Sequence, residues 1–185
     1  MNWERLIRKT LESLFAELFR GKRTRRGTRS ARGRSASQHK HGYQVSGAES
    51  PGRYGAGATC DAKTAEIKSA VFGYQPNHDG DPDPGEVVWT WVPYQEADGR
   101  GKDRPVLILG RCDQETVIGC YLSTKQHRGF INIGSGPWDA EQRNSYLNPH
   151  RILRVKTSGM RREAAQVSRS QYDEVVKQLQ HRGVL

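Results

Sequence analysis

Apolar positions along the chain divide it into four stretches. Trp3, Leu6, Ile7, Leu11, Leu14, Phe15 and Leu18 fall within one half of a helical wheel, and Arg5, Arg8, Lys9, Glu12 and Arg20 take the other half. This spacing predicts an amphipathic helix over residues 1–20, with nothing adjacent in sequence to cover its apolar face. Its covering surface is the chain's own domain, a second subunit, another protein or a membrane interface. Residues 21–60 then lose almost all aliphatic side chains and become rich in Arg, Ser and Gly. Such a segment cannot bury enough apolar surface to offset chain entropy, so a disordered basic arm is expected.

Residues 61–82 form a connecting segment in which Ile67, Val71, Phe72 and Tyr74 are too few to decide between a short helix and a strand. It ends in Asp79-Gly80-Asp81-Pro82-Asp83-Pro84-Gly85, dense in turn formers. From Glu86 onward, β-rich runs recur between turn signals: Glu86 to Tyr94, Pro105 to Leu109, Thr116 to Thr124, Phe130 to Ile133 and Arg151 to Val155. The gaps are too short for a crossover helix after each strand, which excludes a doubly wound parallel sheet. A final helix follows, with Ser170 as its expected N-cap, Tyr172, Val175, Val176 and Leu179 at helical spacing, and Gly183 as its stop. The fold class is therefore mainly β: a small antiparallel barrel domain over residues 83–185 carrying one C-terminal helix.

Charge sharpens this division. The 185 residues carry 30 basic and 20 acidic side chains, a formal charge of +10. Residues 1–60 hold 13 of the basic and 4 of the acidic groups, net +9, so nearly all the excess sits ahead of the predicted barrel. A polyanion is the leading partner class, nucleic acid first and an anionic membrane surface second. No run of about eighteen apolar residues is present to span a bilayer. Cys60, Cys112 and Cys120 are odd in number and lack C-x-x-C spacing, so neither a disulfide framework nor a zinc ribbon is encoded, and a cytoplasmic location is expected. Glu12 and Glu17 interrupt the first apolar stretch and no small-residue cleavage site follows, which argues against an export signal.

Local spacing announces no catalytic module: a Walker A loop, a dinucleotide fingerprint, a G-x-S-x-G elbow and H-E-x-x-H are all missing. The aspartates from Asp79 resemble a calcium loop only superficially, because the twelfth position is Thr90 and two prolines interrupt the pattern. His39 and His41 flank Lys40 in the arm and read as solvated tail.

Three segments carry a stronger signal. Gly85-Glu86-Val87-Val88-Trp89, then Gly101-Lys102-Asp103-Arg104-Pro105-Val106-Leu107-Ile108-Leu109, then Leu122-Ser123-Thr124 resemble, in order and spacing, the PemK/MazF family of toxin ribonucleases. Arg151 to Val155 and Ser170 to His181 also stand where that family has its terminal strand and helix, so the resemblance covers about residues 83–182. It implies an SH3-like barrel that forms a homodimer, cuts single-stranded RNA without a metal or other cofactor, and is neutralised by an antitoxin protein. It also implies a loop arginine and a hydroxyl as the active groups. By motif these are Arg104 in GKDRP and Ser123 with Thr124 beside it. Many members place Thr where Ser123 stands; serine keeps the hydroxyl and loses the methyl that fixes its rotamer.

The chemistry of these residue types agrees with that assignment. Metal-free RNA cleavage needs activation of a ribose 2′-hydroxyl, stabilisation of charge on the phosphate and protonation of the departing 5′-oxygen. A guanidinium stays charged and grips two phosphate oxygens at once, which suits Arg104 to the second task. Neither it nor an unactivated serine is a good base near neutrality, so the proton carrier is left open, with His127 the nearby histidine. Lys102, Lys125, His127 and Arg128 adjoin the proposed site as substrate-binding groups, and Trp138 is a candidate stacking face for an unpaired base. Trp89 and Trp91 are in phase on one strand and are expected on a shared core or dimer face. Two other function classes stay open on sequence: a non-catalytic nucleic-acid-binding or gyrase-poisoning protein on the same fold, and a membrane-peripheral interaction protein whose first 60 residues do the work.

Overall fold

A computed structural model describes residues 50–77, 80–96 and 98–185. The expected helix over 1–20 and most of the basic arm lie outside the described residues. In chain order the elements are a 3-10 turn (Gly55–Gly57), β1 (Cys60–Asp61), α1 (Thr64–Ser69), β2 (Val71–Phe72), β3 (Glu86–Pro93), β4 (Gly101–Arg111), β5 (Thr116–Ser123), β6 (Ile131–Gly134), β7 (Ser145–Leu147), β8 (Leu153–Lys156), a second 3-10 turn (Thr157–Gly159), β9 (Arg161–Gln166) and α2 (Arg169–His181). All strand pairs are antiparallel. The main path runs β1-β8-β5-β4-β3-β9, with β2 on β4 and β6-β7 branching from β5. The sheet is mainly β with a C-terminal helix, as its spacing predicts, and its strand path does not close on itself.

Both faces of the central strands are covered, which explains why β4 reads as a continuous apolar run instead of an alternating one. One face of the sheet gathers Leu107, Leu109, Ile118, Cys120 and Leu122 against Tyr172, Val175 and Leu179 of α2. On the other face, Val88, Val92, Val106, Ile108, Val117, Leu153 and Val155 pack together with Tyr121 and Met160 at the margin. Each fully buried aliphatic side chain here contributes about 1.5–3 kcal/mol. Helix α2 is fastened to the sheet by Tyr172, whose hydroxyl donates to the Leu109 carbonyl at 2.6 Å and accepts from the Gly73 N–H at 3.0 Å. Its N-cap is Ser168, two residues earlier than expected: the Ser168 hydroxyl accepts from the Gln171 N–H, and the Gln171 side chain accepts from the Ser168 N–H at 2.7 Å. This reciprocal pair satisfies two terminal donors, which Ser170 does not do.

Residues 50–60, assigned by composition to the arm, are folded. Pro51 accepts from the Trp91 N–H at 2.8 Å, and Thr59 meets Thr90 hydroxyl to hydroxyl at 2.6 Å. Gly52 has φ +80°, and a Cβ there would lie 2.3 Å from the Thr90 hydroxyl, so only glycine fits. The undecided stretch 61–75 contains both alternatives, α1 and the short strands β1 and β2.

β9 carries no apolar alternation and was not foreseen. It pairs with β3 across a bulge between Val87 and Val88, where Ala164 has φ 52°. Its Arg162 forms an ion pair with buried Glu86, one Nη2 donating to both carboxylate oxygens at 2.9 and 2.8 Å. Trp89 and Trp91 share one side of β3 as predicted, but that side is half-buried surface and not core. Arg161 lies over Trp89 and Arg53 over Trp91, at 5.6 and 4.5 Å from the ring centroids. No helix among the described residues is long and apolar enough to cross a membrane.

Candidate active site

The β4–β5 ladder ends at the pair Val106–Tyr121. Two residues beyond it stand Arg104 on one strand and Ser123 on the other, on the same side of the sheet by alternation. Both line a groove of about 430 Å³, together with Lys102, Thr124, Lys125 and His127. A second groove of about 600 Å³ adjoins it, and Arg104, Tyr121 and His127 line both.

Arg104 was expected on a loop. It sits instead within β4, because Gly101, Lys102 and Asp103 already pair with Pro93, Val92 and Trp91 of β3 and carry the hairpin ladder past it. The strand gives the guanidinium a fixed origin. Asp103 beside it also lines the smaller groove, and its carboxylate accepts from Arg161 at 2.9 Å and from the Ser50 hydroxyl at 2.7 Å. Arg104 lies over the Tyr121 ring, 4.7 Å from the centroid. Tyr121 in turn meets Phe130 edge-on at 6.2 Å, and Phe130 meets His127 at 4.9 Å.

The other guanidiniums of the two grooves are committed. Arg143 grips Asp139 through two nitrogens at 3.0 and 2.7 Å, and these hydrogen bonds hold the Asp139 carboxyl below the usual range. Arg100 pairs with Asp98 at 2.6 Å, while Arg151 pairs with Asp61 and donates to the Pro93 carbonyl at 2.5 Å. Arg104 makes no ion pair among the described residues. Among the described guanidiniums of these grooves it is the one left for an external anion, and the ammonium groups of Lys102 and Lys125 line the smaller groove beside it.

Ser123 ends β5, and its hydroxyl accepts from the Lys125 N–H at 3.1 Å, which orders the turn carrying Thr124 and Lys125. The hydroxyl proton stays available to an acceptor in the groove. Lys102, Thr124, Lys125 and His127 are exposed around it. One expected residue falls elsewhere: Arg128 is exposed but lines neither groove. Trp138 lines the smaller groove with Arg104 and Ser123, but only 3% of it is exposed, and its indole N–H is donated to the Ser145 hydroxyl at 2.9 Å. Tyr121, Arg143 and Asn148 line the grooves without having been foreseen. Only Tyr121 had a usable signal, its period-two spacing from Ser123.

Against known proteins, residues 83–182 match the family model described as PemK-like, MazF-like toxin of type II toxin-antitoxin system. No curated protein matches the chain.

Proposed function

The chain belongs to the PemK-like, MazF-like toxins of type II toxin-antitoxin systems, and from that premise we propose that it is an endoribonuclease cleaving single-stranded RNA without a metal. The observation that carries the reading is the unpaired guanidinium of Arg104, stacked on Tyr121 and sharing a groove with Ser123. In this mechanism the ribose 2′-hydroxyl attacks the adjacent phosphorus, the bond to the 5′-oxygen breaks, and the products end in a 2′,3′-cyclic phosphate and a 5′-hydroxyl. Arg104 holds the non-bridging oxygens as charge accumulates on them, a contribution comparable to an oxyanion donor, about 3 kcal/mol. Ser123 and Thr124 donate hydrogen bonds to the same phosphate. His127, which lines both grooves, is the imidazole to which this reading assigns proton transfer. Lys102 and Lys125 supply the cationic flanks that a single-stranded backbone needs.

A type II toxin has an antitoxin partner, and the Arg104 groove is the surface whose occupation would silence the enzyme. The homodimer expected from the family belongs to the same proposal, as does a role for residues 1–49 as an electrostatic arm for RNA. The test is incubation of the purified chain with RNA in EDTA, followed by mapping of the cut ends. Cyclic phosphate termini are expected. Intact RNA in EDTA, with cleavage only on adding a divalent ion, would overturn the metal-free reading.

A further inference from the structure

Three residues adjoin Arg104 in the β3–β4 hairpin. Thr90 is its cross-strand partner, Asp103 precedes it on β4, and Trp91 is the partner of Asp103. Each of the three is held by residues 50–59, which lie ahead of the family-matched segment 83–182. The buried Thr90 hydroxyl donates to the Gly159 carbonyl at 2.6 Å, so its single proton is spent and it accepts from the Thr59 hydroxyl, also at 2.6 Å. The Trp91 N–H donates to the Pro51 carbonyl at 2.8 Å. Asp103 takes the Ser50 hydroxyl on Oδ1 at 2.7 Å and Nη2 of Arg161 on Oδ2 at 2.9 Å.

These contacts fall where the sheet is thinnest. β9 pairs along the outer edge of β3 only as far as Trp89, and the Pro51 carbonyl takes the next outward donor, at Trp91. Without it, the hairpin end that carries Arg104 would be a two-stranded ribbon with an open edge, a marginal structure in water. The carboxylate matters for a second reason. Asp103 lines the smaller groove with Arg104, and a carboxylate released there would compete with an RNA phosphate for the guanidinium. Ser50 and Arg161 occupy one carboxylate oxygen each, which keeps that charge engaged elsewhere.

We infer that residues 50–59 are a positioning brace for Arg104, in which Ser50, together with Arg161, holds the Asp103 carboxylate off the guanidinium while Pro51 and Thr59 fix the rung of the hairpin that carries it. None of these residues grips the phosphate; they act through Asp103, Thr90 and Trp91. The inference rests on the proposed RNA cleavage, and it adds a set of residues outside the family-matched segment on which the rate depends.

The full chain carrying Ser50→Ala is compared with Ser50→Thr, Thr59→Val, Asp103→Asn and the Ser50→Ala, Asp103→Asn pair in steady-state cleavage of a fluorophore–quencher RNA, with thermal unfolding of each. Ser50→Ala is expected to lower kcat about three- to tenfold, the worth of one ordinary hydrogen bond, and to leave KM within about twofold. Ser50→Thr keeps the hydroxyl and should restore the native kcat. Thr59→Val deletes the other hydroxyl at nearly constant shape and should lower kcat in the same range. In the Asp103→Asn background there is no carboxylate to restrain, so adding Ser50→Ala should cost kcat nothing further. A hydroxyl that only stabilised the fold would lower the unfolding temperature and leave the kcat of folded protein alone. Native kcat in both Ser50→Ala and Thr59→Val, with cleavage still dependent on Arg104, overturns the brace and spares the nuclease reading. A loss from Ser50→Ala that persists undiminished beside Asp103→Asn overturns the part assigned to the carboxylate. If the wild-type chain cleaves no RNA, the nuclease reading itself fails and the brace with it.

Discussion

Replacing Tyr121 with leucine removes the ring beneath the Arg104 guanidinium and leaves the strand pairing of β5 intact. The ring centroid is 4.7 Å from the guanidinium carbon, within range of a cation–π contact. Such a contact is worth about 0.5–1 kcal/mol when exposed and about 2 kcal/mol when desolvated. Arg104 is half-buried and has no carboxylate to hold it among the described residues, so about 1–2 kcal/mol of its positioning is assigned to this ring. If that energy serves to keep the guanidinium where the phosphate charge develops, its loss slows turnover by roughly 5- to 30-fold. Because the contact matters most in the transition state, kcat carries the loss and KM changes little. Tyr121→Phe keeps the ring and should retain nearly full activity. The assay is steady-state cleavage of a fluorophore–quencher RNA, with thermal unfolding of both variants as a control on folding. A leucine variant with wild-type kcat would refute the ring's role. Equal losses in the leucine and phenylalanine variants would transfer it to the hydroxyl.

Three further outcomes test other parts of the structure. Arg162→Met strands the buried Glu86 carboxylate and should cost about 3–5 kcal/mol by urea unfolding, whereas Glu86→Met with Arg162→Met should recover most of it. Trp138→Phe loses the hydrogen bond to Ser145 and should lower stability by about 1–2 kcal/mol in urea unfolding. Burial pushes the Cys120 thiol up to about 12 from 9.0, so above pH 9 the unfolded chain gives up a proton that the folded chain keeps. Stability should therefore fall between about pH 9 and 12, by roughly 1.4 kcal/mol per pH unit from this group, and the urea midpoint of Cys120→Ala should decline less steeply over that range.

The strands that sequence reveals are those whose own side chains form the core. Val106 to Leu109 and Val117 to Leu122 carry their β-branched and aliphatic character wherever they stand, and both were legible. β9 was not, because Arg161 to Gln166 is held by the backbone ladder to β3 and by one ion pair, neither of which leaves an apolar pattern. Residues 50–60 escaped for the same reason: their attachment is two threonine hydroxyls, a proline carbonyl and a glycine at positive φ. At the site, Arg104 and Ser123 were found through motif resemblance, while the hairpin ladder that places Arg104 on a strand is a tertiary fact. Trp138 was legible as a groove residue, whereas its burial and the bond from its indole to Ser145 are tertiary facts.

The claim at the centre is that one unneutralised guanidinium, fixed on β4, grips the phosphate that is cut. Single-turnover cleavage of RNA in EDTA by Arg104→Ala, beside a Ser123→Ala control and with matched unfolding temperatures, addresses it directly. The account expects the arginine variant to lose about a hundredfold or more in rate, the serine variant to lose less, and both to stay folded. Cleavage by a folded Arg104→Ala protein at the native rate would contradict it.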